Sequence, residues 1–390
     1  MGSAVRFAQS LPLGRGRQAR NLPATVGIRT LLRDLDWVLL GAVVAVLLLG
    51  VLTVYSASHH SGPGTTQRYC VRQLMWVFIG LCFMWAAIVI DYHRFLAFAP
   101  VIYVAVLLAL VAVLVLPSRG HGARRWLALG PFRVQPSELC KIAVVLLLAR
   151  YLDAVKVKIR RPRFFIGAIV LVALPVVLIM VEPDLGTAMV FVPVFLIMLY
   201  LAGSRTRHIV SICVLGLASS PVLWRFLRDY QKMRLVAFIK PEVDPLGWGY
   251  QTIQSTIAVG SGKFLGKGWL RGTQSRLNFL PAQHTDFVFS VYSEEWGFIG
   301  VAVLLGLLSL IIARGMRVAL EARDFSGNIL AAGLVTMLAC HFLINVAVVL
   351  GLMPVTGLPL PFMSYGGSSL VSMMALIGLV LNVRAGSRVF

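Results

Sequence analysis

An aspartate at the end of the chain's one long polar stretch is the residue best placed to do chemistry. Residues 225–286 interrupt a series of hydrophobic segments and end in Leu280-Pro-Ala-Gln-His-Thr-Asp286, directly before another apolar segment. Asp286 therefore lies where an aqueous loop becomes a membrane helix, a position at which ionisable groups are usually functional. Its carboxylate can act as a general base, or it can serve only as a helix N-cap. Glu294 and Glu295 follow in the same predicted helix, and acidic groups at that depth need partners, which favours a functional role.

A second charged group opens the fourth hydrophobic stretch. Glu138 and Lys141 are three residues apart, hence on one face of a helix, where they can pair with each other or bind a common ligand. The alternative is a charge pair that only neutralises itself at a helix end. Arg124 and Arg125 lie just upstream, in a loop with four arginines, and this favours a ligand.

A third group is the tight turn Glu182-Pro183-Asp184, between the fifth and sixth hydrophobic stretches. Asp184 can cap the sixth helix through its carboxylate, but capping does not explain Glu182. If this turn, the arginine-containing loop and Asp286 converge, three carboxylates and several cations surround one outward-facing pocket. Such a pocket suits an anionic substrate, with or without a divalent metal.

The last group lies in residues 351–370, which hold three prolines, four glycines and the polar residues Ser364 and Tyr365. Broken backbone at a membrane boundary is tolerated only where protein or a water-filled cavity satisfies its polar groups. The alternative is a helix kink with small residues for packing. We expect this segment to have a structural role beside the site.

Composition defines the fold class that must position these residues. The 390-residue chain is 58% hydrophobic and 13% charged, which excludes a disordered or ordinary soluble protein. Its five cysteines show no disulfide or metal-thiolate spacing. Stretches long enough to cross a bilayer occur near residues 37–57, 71–90, 96–116, 138–152, 164–181, 186–202, 208–225, 287–313, 328–351 and 362–383. The sequence therefore predicts an all-α polytopic membrane protein with about ten transmembrane helices and one large extracytoplasmic loop, residues 226–286, between helices seven and eight.

Positive charge predicts the orientation. Lys and Arg cluster in alternate short loops and at both termini, which places the N- and C-termini in the cytoplasm and Asp286 outside. We predict a basic cytoplasmic tail over residues 1–36 and a single membrane domain over residues 37–390. The net charge of +21, part of it in outer loops, implies an anionic partner, either the membrane surface or a charged substrate.

Taken together, the motifs of this chain resemble the SEDS family of cell-wall proteins, named for roles in shape, elongation, division and sporulation. The resemblance is carried by Gln135-Pro-Ser-Glu-Leu139 with Lys141, Glu182-Pro-Asp-Leu-Gly-Thr187, Gly249-Tyr-Gln-Thr-Ile-Gln-Ser255, Leu280-Pro-Ala-Gln-His-Thr-Asp-Phe287 and Ser364-Tyr-Gly-Gly-Ser-Ser369. Gly357-Leu-Pro-Leu-Pro361 and Gly266-Lys-Gly-Trp-Leu-Arg-Gly-Thr-Gln274 are more similar to the RodA-like elongation branch than to the FtsW-like division branch. Ala282 departs from the family, in which an acidic residue is expected after the proline.

The resemblance implies a peptidoglycan glycosyltransferase that polymerises lipid II at the outer face of the bacterial cytoplasmic (inner) membrane. It implies a class B penicillin-binding protein and other elongation-complex proteins as partners, and no nucleic acid. Asp286 is then the general base for the acceptor sugar hydroxyl, and Arg124, Arg125 and Lys141 face the substrate diphosphate. Glu138 and Asp184 are expected to hold Lys141 in place, while His284, Thr285, Ser364 and Tyr365 support the site or bind substrate.

Two other functions stay open from the residues alone. A carrier that flips lipid II would also need an anion-binding pocket and broken helices, but it predicts charged residues through the membrane. A non-catalytic scaffold of the elongation complex would leave the outer carboxylates without a role. No cofactor is certain from the sequence, and a divalent cation, Mg²⁺ or Mn²⁺, is left open.

Overall fold

Helices form nearly all of the regular structure in the computed structural model, which describes residues 33, 35–59, 65–116, 125–129, 132–244, 247–277 and 279–389. The α-helices are α1 (Trp37–His59), α2 (Thr65–Val89), α3 (Tyr92–Val115), α4 (Pro136–Val155), α5 (Pro162–Val181), α6 (Leu185–Leu201), α7 (Thr206–Phe226), α8 (Asp229–Ile239), α9 (Trp248–Ser261), α10 (Thr273–Arg276), α11 (Val288–Glu321), α12 (Phe325–Val349) and α13 (Gly367–Val389). Two 3-10 turns, Lys156–Arg160 and Pro241–Val243, follow α4 and α8. The strands β1 (Leu127–Leu129) and β2 (Phe132–Val134) pair antiparallel between α3 and α4. Most of the predicted basic tail, residues 1–36, lies outside the described residues.

Each of the ten predicted spans corresponds to one helix. Within the described residues, seven helices are long and apolar enough to cross a membrane, namely α1, α2, α3, α5, α11, α12 and α13. Helix α6 and the first part of α7 are shorter apolar helices, and α4 is 20 residues long but includes four charged side chains. The all-α polytopic membrane fold is confirmed.

Helices α12 and α13 form the centre of the bundle. In each of them 72% of the most apolar window is buried, compared with 22% in α3. Helix α12 packs against α4, α6 and α11, and α13 packs along α2. Because the central helices are enclosed by protein, polar side chains on them face other helices rather than lipid, and they can bind the segments that carry the site.

The last span begins at Gly367, later than the predicted residue 362. Pro359 and Pro361 lack the N–H groups that a helix needs, and Phe362 has a left-handed backbone with φ of 63°. Residues 352–366 therefore remain irregular at the membrane boundary, as the prolines and glycines of this segment predict.

The long loop is more helical than expected, and its last part is joined to a broken membrane helix. It contains the helices α8 and α9 and the short helix α10. Helix α11 is interrupted at Gly297, where φ is 60° and ψ is −162°. The freed backbone groups bind the loop: Phe298 N–H donates to Lys263 O at 2.9 Å, and Lys267 N–H donates to Glu294 O at 3.0 Å. The loop thus provides hydrogen-bond partners for backbone groups that could not remain unpaired in a membrane helix.

The two buried glutamates of α11, Glu294 and Glu295, hold neighbouring segments in place. The Glu294 carboxylate accepts from Lys267 Nζ at 2.6 Å and from Thr273 N–H at 2.8 Å. Glu295 accepts a hydrogen bond from the Ser56 hydroxyl on α1. Glu294 and one carboxyl oxygen of Glu295 therefore have the partners that burial requires, and these contacts fix the loop and α1 against α11.

Candidate active site

Three loops converge on one side of the bundle, as the alternation of the spans predicts. Arg125 Nε donates to the carbonyl oxygen of Glu182 at 3.1 Å, and the Tyr230 hydroxyl donates to that of Pro183 at 3.1 Å. Gln135 Nε2 donates to Asp184 Oδ2 at 3.1 Å. The loop before α4, the turn between α5 and α6 and the start of the long loop therefore meet at the Glu182-Pro183-Asp184 turn.

Asp286 lies near the end of a turn formed by residues 281–287, directly before α11. The N-cap of α11 is Phe287, so capping does not account for Asp286. Asn345 Nδ2, on the central helix α12, donates to Asp286 O at 3.0 Å and to Leu358 O at 2.7 Å. This amide fastens the turn to residues 354–361. A Cβ atom on Gly357, whose φ is 74°, would lie 3.7 Å from Asp286 Oδ2, so the carboxylate directly faces this segment.

The environment of Asp286 suits a general base. Burial raises the pKa of Asp286 above its ordinary value, while the nearby Arg234 guanidinium and a hydrogen bond from Thr285 act in the opposite direction. Burial and the neighbouring Arg125 in turn lower the pKa of Arg234. A carboxylate with a raised pKa is a better proton acceptor near neutral pH, and Arg234 favours its ionised form.

A cleft with about 430 Å³ of empty space, its open mouth included, lies between the start of α6, helix α8 and the segment before Gly357. It is lined by Arg125, Pro183, Leu185, Gly186, Met189, Tyr230, Gln231, Arg234, Leu235, Pro354, Val355 and Thr356. Two guanidinium groups and no carboxylate occur among these described residues. A cleft with this lining has the charge that an anion requires.

Glu182 is buried under this cleft, but its carboxyl group does not neutralise the positive charge of the cleft. Its side chain is 1% exposed, and within the described residues neither carboxyl oxygen has a hydrogen-bond partner. Burial, and then the proximity of Asp184, raise the pKa of Glu182 to about 8, although Arg125 opposes the rise. The carboxyl is mostly neutral at pH 7, so Arg125 keeps its positive charge for a ligand.

Lys141 is not available to a substrate, contrary to expectation. It is 1% exposed, and its Nζ lies 2.8 Å from Glu138 Oε1 and 2.6 Å from His341 Nε2. The Ser372 hydroxyl donates to Glu138 Oε2 at 3.2 Å. The pair thus joins α4 to α12 and α13. A buried lysine with two partners cannot also reach a diphosphate in the cleft.

Asp184 also differs from its expected role, since it does not hold Lys141. Its carboxylate accepts from Thr187 Oγ1 at 2.9 Å and from Gln135 Nε2 at 3.1 Å. It also accepts from Thr187 N–H at 3.3 Å and so caps α6. Asp184 fixes the turn that the cleft is built on, as the capping alternative predicts.

The remaining sequence candidates surround the Asp286 turn. Thr285 bonds the Asp286 carboxylate, and Ser364 Oγ accepts from Leu360 N–H at 2.9 Å to close the irregular segment. Tyr365 N–H donates to His284 O at 2.9 Å. Arg124 lies outside the described residues.

Sequence reasoning missed Arg234 and Asn345. Arg234 was one of many basic residues in the long loop, and only the packing of α8 distinguishes it. Asn345 had a usable signal: it lies four residues after His341 on a predicted span, hence on the same helix face. Polar groups at that depth usually face protein and mark functional positions.

Comparisons with known proteins agree with this architecture. The FtsW/RodA/SpoVE family model, described as cell cycle protein, matches residues 36–389. The chain is 40% identical over 352 residues to the peptidoglycan glycosyltransferase MrdB of Escherichia coli (strain K12), covering 90% of this chain and 93% of the relative. It is 34% identical over 424 residues to the peptidoglycan glycosyltransferase RodA of Treponema pallidum (strain Nichols), covering 90% and 98%.

Solved structures are similar over the same length. One is a chain from work on the structural coordination of polymerization and crosslinking by a peptidoglycan synthase complex, with a TM-score of 0.77, 36% identity and coverage of 91% of this chain and 98% of that one. Another is the rod shape determining protein RodA of Thermus thermophilus, with a TM-score of 0.68, 32% identity and the same coverage. The chain therefore belongs to the FtsW/RodA/SpoVE family, which is the SEDS family, and to its RodA-like elongation branch.

Proposed function

We propose that this peptidoglycan glycosyltransferase polymerises lipid II with Asp286 as the general base and with Arg125 and Arg234 as the groups that bind the substrate diphosphate. The observation that supports this assignment is the placement of Asp286 beside a cleft that holds two guanidinium groups over a neutral Glu182. A glycosyl transfer from a diphosphate donor needs both a base and a cationic site for the leaving group.

The proposed step transfers a sugar chain from one lipid diphosphate to another. Asp286 removes the proton of the acceptor sugar hydroxyl while the hydroxyl oxygen attacks the anomeric carbon of the donor. The bond from that carbon to the diphosphate oxygen breaks, and undecaprenyl diphosphate leaves with the electron pair. A positioned base contributes about 10²–10⁴-fold to such a rate, and fixed cations stabilise the charge that develops on the leaving group.

Two arginines on different elements hold this anion. Arg125 precedes β1, and its guanidinium is oriented by the carbonyl oxygens of Glu182 and Pro183. Arg234 lies on α8, within 3.4 Å of the Val355 carbonyl oxygen. One guanidinium group can donate to two phosphate oxygens at once. We therefore assign Arg125 and Arg234, in place of Lys141, to the binding of the diphosphate.

Asp286→Asn tests the base. The amide keeps the size of the side chain but cannot accept the proton, so we expect polymer formation from purified lipid II to fall about 10²–10⁴-fold. Asp229→Asn, a substitution of the same kind at a fully exposed position on α8, should retain activity. Near-normal polymer from a folded Asp286→Asn protein would contradict the assignment.

We also propose a membrane location for the cleft and a partner for the protein. We place the cleft at the outer face of the cytoplasmic membrane, with both termini in the cytoplasm, because of the distribution of Lys and Arg. The partner is a crosslinking enzyme of the class B penicillin-binding protein type, by analogy with the similar chain that belongs to a peptidoglycan synthase complex. Neither the carrier nor the scaffold alternative is favoured, because the curated relatives are glycosyltransferases.

We further propose that any divalent cation, Mg²⁺ or Mn²⁺, enters the site with the substrate. Within the described residues, no three His, Cys, Asp or Glu side chains are grouped as metal ligands. Mg²⁺ commonly binds through one or two carboxylates and substrate phosphates. Calorimetry should show no Mg²⁺ binding without a diphosphate, and tight binding to the free protein would refute this proposal.

A further inference from the structure

Three half-buried rings form an aromatic cluster on the Asp286 turn. The ring of Tyr69, from the start of α2, lies 4.5 Å from that of His284 and 5.0 Å from that of Tyr365, measured between centroids. The rings of His284 and Tyr365 are 5.8 Å apart. His284 is two residues from Asp286, and its carbonyl oxygen accepts from Tyr365 N–H at 2.9 Å. The cluster is therefore fixed to the backbone that positions the proposed base.

Packing alone does not account for this cluster. Phe287, Phe289 and Phe362 fill the core beside it and are at most 2% exposed, whereas the three rings of the cluster keep part of their surface open. Within the described ranges, the hydroxyl groups of Tyr69 and Tyr365 make no hydrogen bond. Burial lowers the pKa of His284, so its ring is neutral at pH 7. The cluster offers aromatic faces and free polar edges without charge.

Those properties fit a pyranose ring. One face of a pyranose presents C–H groups, which pack against the electron-rich face of an aromatic ring, while the sugar's hydroxyl and amide groups can bond to a tyrosine hydroxyl or an imidazole nitrogen. The arginine cleft is built from α6 and α8, whereas the aromatic cluster is built from α2 and the segment before α13. The Asp286 turn joins both, so charge and sugar rings can be bound by separate groups beside one base.

We propose that Tyr69, His284 and Tyr365 form a subsite that binds the uncharged sugar rings next to the reacting hydroxyl. This inference rests on the proposed function, because it takes Asp286 as the residue at which glycan chains react. It assigns these rings a positioning role, and it separates their contribution from that of Arg125 and Arg234.

Binding of two probes to the purified full-length protein tests the subsite without catalysis. The first probe is an uncharged tetrasaccharide of β-1,4-linked N-acetylglucosamine, and the second is inorganic pyrophosphate. We expect Tyr69→Leu to weaken tetrasaccharide binding about 5-fold or more, in line with the value of an aromatic face, and Tyr69→Phe to retain it. Pyrophosphate binding should be unchanged in both variants but lost in Arg234→Gln, which also shows that the tyrosine variants are folded.

Tyr55→Leu is the matched control, because Tyr55, on α1, belongs to a separate aromatic group and stacks on Trp269 of the long loop at 5.8 Å between centroids. It should bind the tetrasaccharide as the wild type does. Equal tetrasaccharide affinity of Tyr69→Leu and the wild type, or no binding by the wild type, would overturn the subsite. If Asp286→Asn still made polymer, the proposed base would fail while the binding result stood separately.

Discussion

The pH dependence of stability allows a quantitative test of whether the buried carboxyl group of Glu182 is neutral. The residue follows α5, is 1% exposed, and has a pKa of about 8, raised from 4.5 mainly by burial. Replacing it by glutamine keeps the shape of the side chain and removes its proton equilibrium. The free energy of unfolding of the variant should therefore lack the pH dependence that comes from the titration of Glu182.

The sign and size of the effect follow from proton linkage. Because the pKa of Glu182 is higher in the folded state, folding is favoured by proton binding. That contribution is fully present below pH 4.5 and is lost as the pH rises through 8. Between these limits it changes by about 1.4 kcal/mol per pH unit, or on the order of 4 kcal/mol from pH 5 to pH 9. Glu182→Gln cannot lose a proton, so its free energy of unfolding should lack this decline.

The measurement is the free energy of unfolding in mixed micelles between pH 5 and pH 9, for the wild type and the variant. The difference between the two should grow in favour of Glu182→Gln up to about pH 8 and then level off. Glu242→Gln, at an exposed position in the long loop, should follow the wild-type curve. Parallel curves for Glu182→Gln and the wild type would refute the buried, neutral carboxyl.

Three further outcomes check other parts of the structure. Lys141→Met leaves its buried glutamate partner unpaired and should cost about 3–5 kcal/mol, seen as loss of folded protein in size-exclusion chromatography; a stable, monodisperse variant would contradict this. Gly297→Ala places a Cβ 2.2 Å from a loop nitrogen at a φ of 60° and should lower the melting temperature, whereas Gly306→Ala on the same helix meets nothing within 4 Å and should not. Arg234→Gln removes the charge that lowers the pKa of Asp286, so the acid limb of the pH–rate profile should move to higher pH, and an unmoved limb would count against the pairing.

The spans were predictable because their signal is local. About 20 consecutive apolar residues suffice to cross a bilayer, and each such stretch of this chain is one helix. The predicted start of α13, residue 362, was wrong because a different local feature decides it. The apolar residues Leu360 and Phe362 continue the hydrophobic pattern, but the prolines around them and the left-handed Phe362 prevent a helix.

The site was only partly predictable, because its decisive contacts are distant in sequence. Alternating spans correctly placed Arg125, Asp184 and Asp286 on one side. The second partner of Lys141, besides Glu138, is His341, which lies 200 residues away in the sequence. An i,i+3 spacing with glutamate is equally consistent with a buried pair and with a shared ligand, so no local pattern could decide between them. The importance of Arg234 depends in the same way on how α8 packs.

The site has to satisfy two opposing electrostatic requirements, and the buried carboxyl groups show how it does so. A diphosphate needs uncompensated positive charge, while proton removal needs a carboxylate in the same small space. Burial raises the pKa of both Glu182 and Asp286, but their counter-charges differ. Arg125 bonds the backbone oxygen of Glu182 rather than its carboxyl group, so that group stays neutral and leaves Arg125 to a ligand. Arg234 and Thr285 instead favour the ionised form of Asp286. The two carboxyl groups thus have different neighbours, and this difference supports our proposal that one acts as the base and the other supports an anion site.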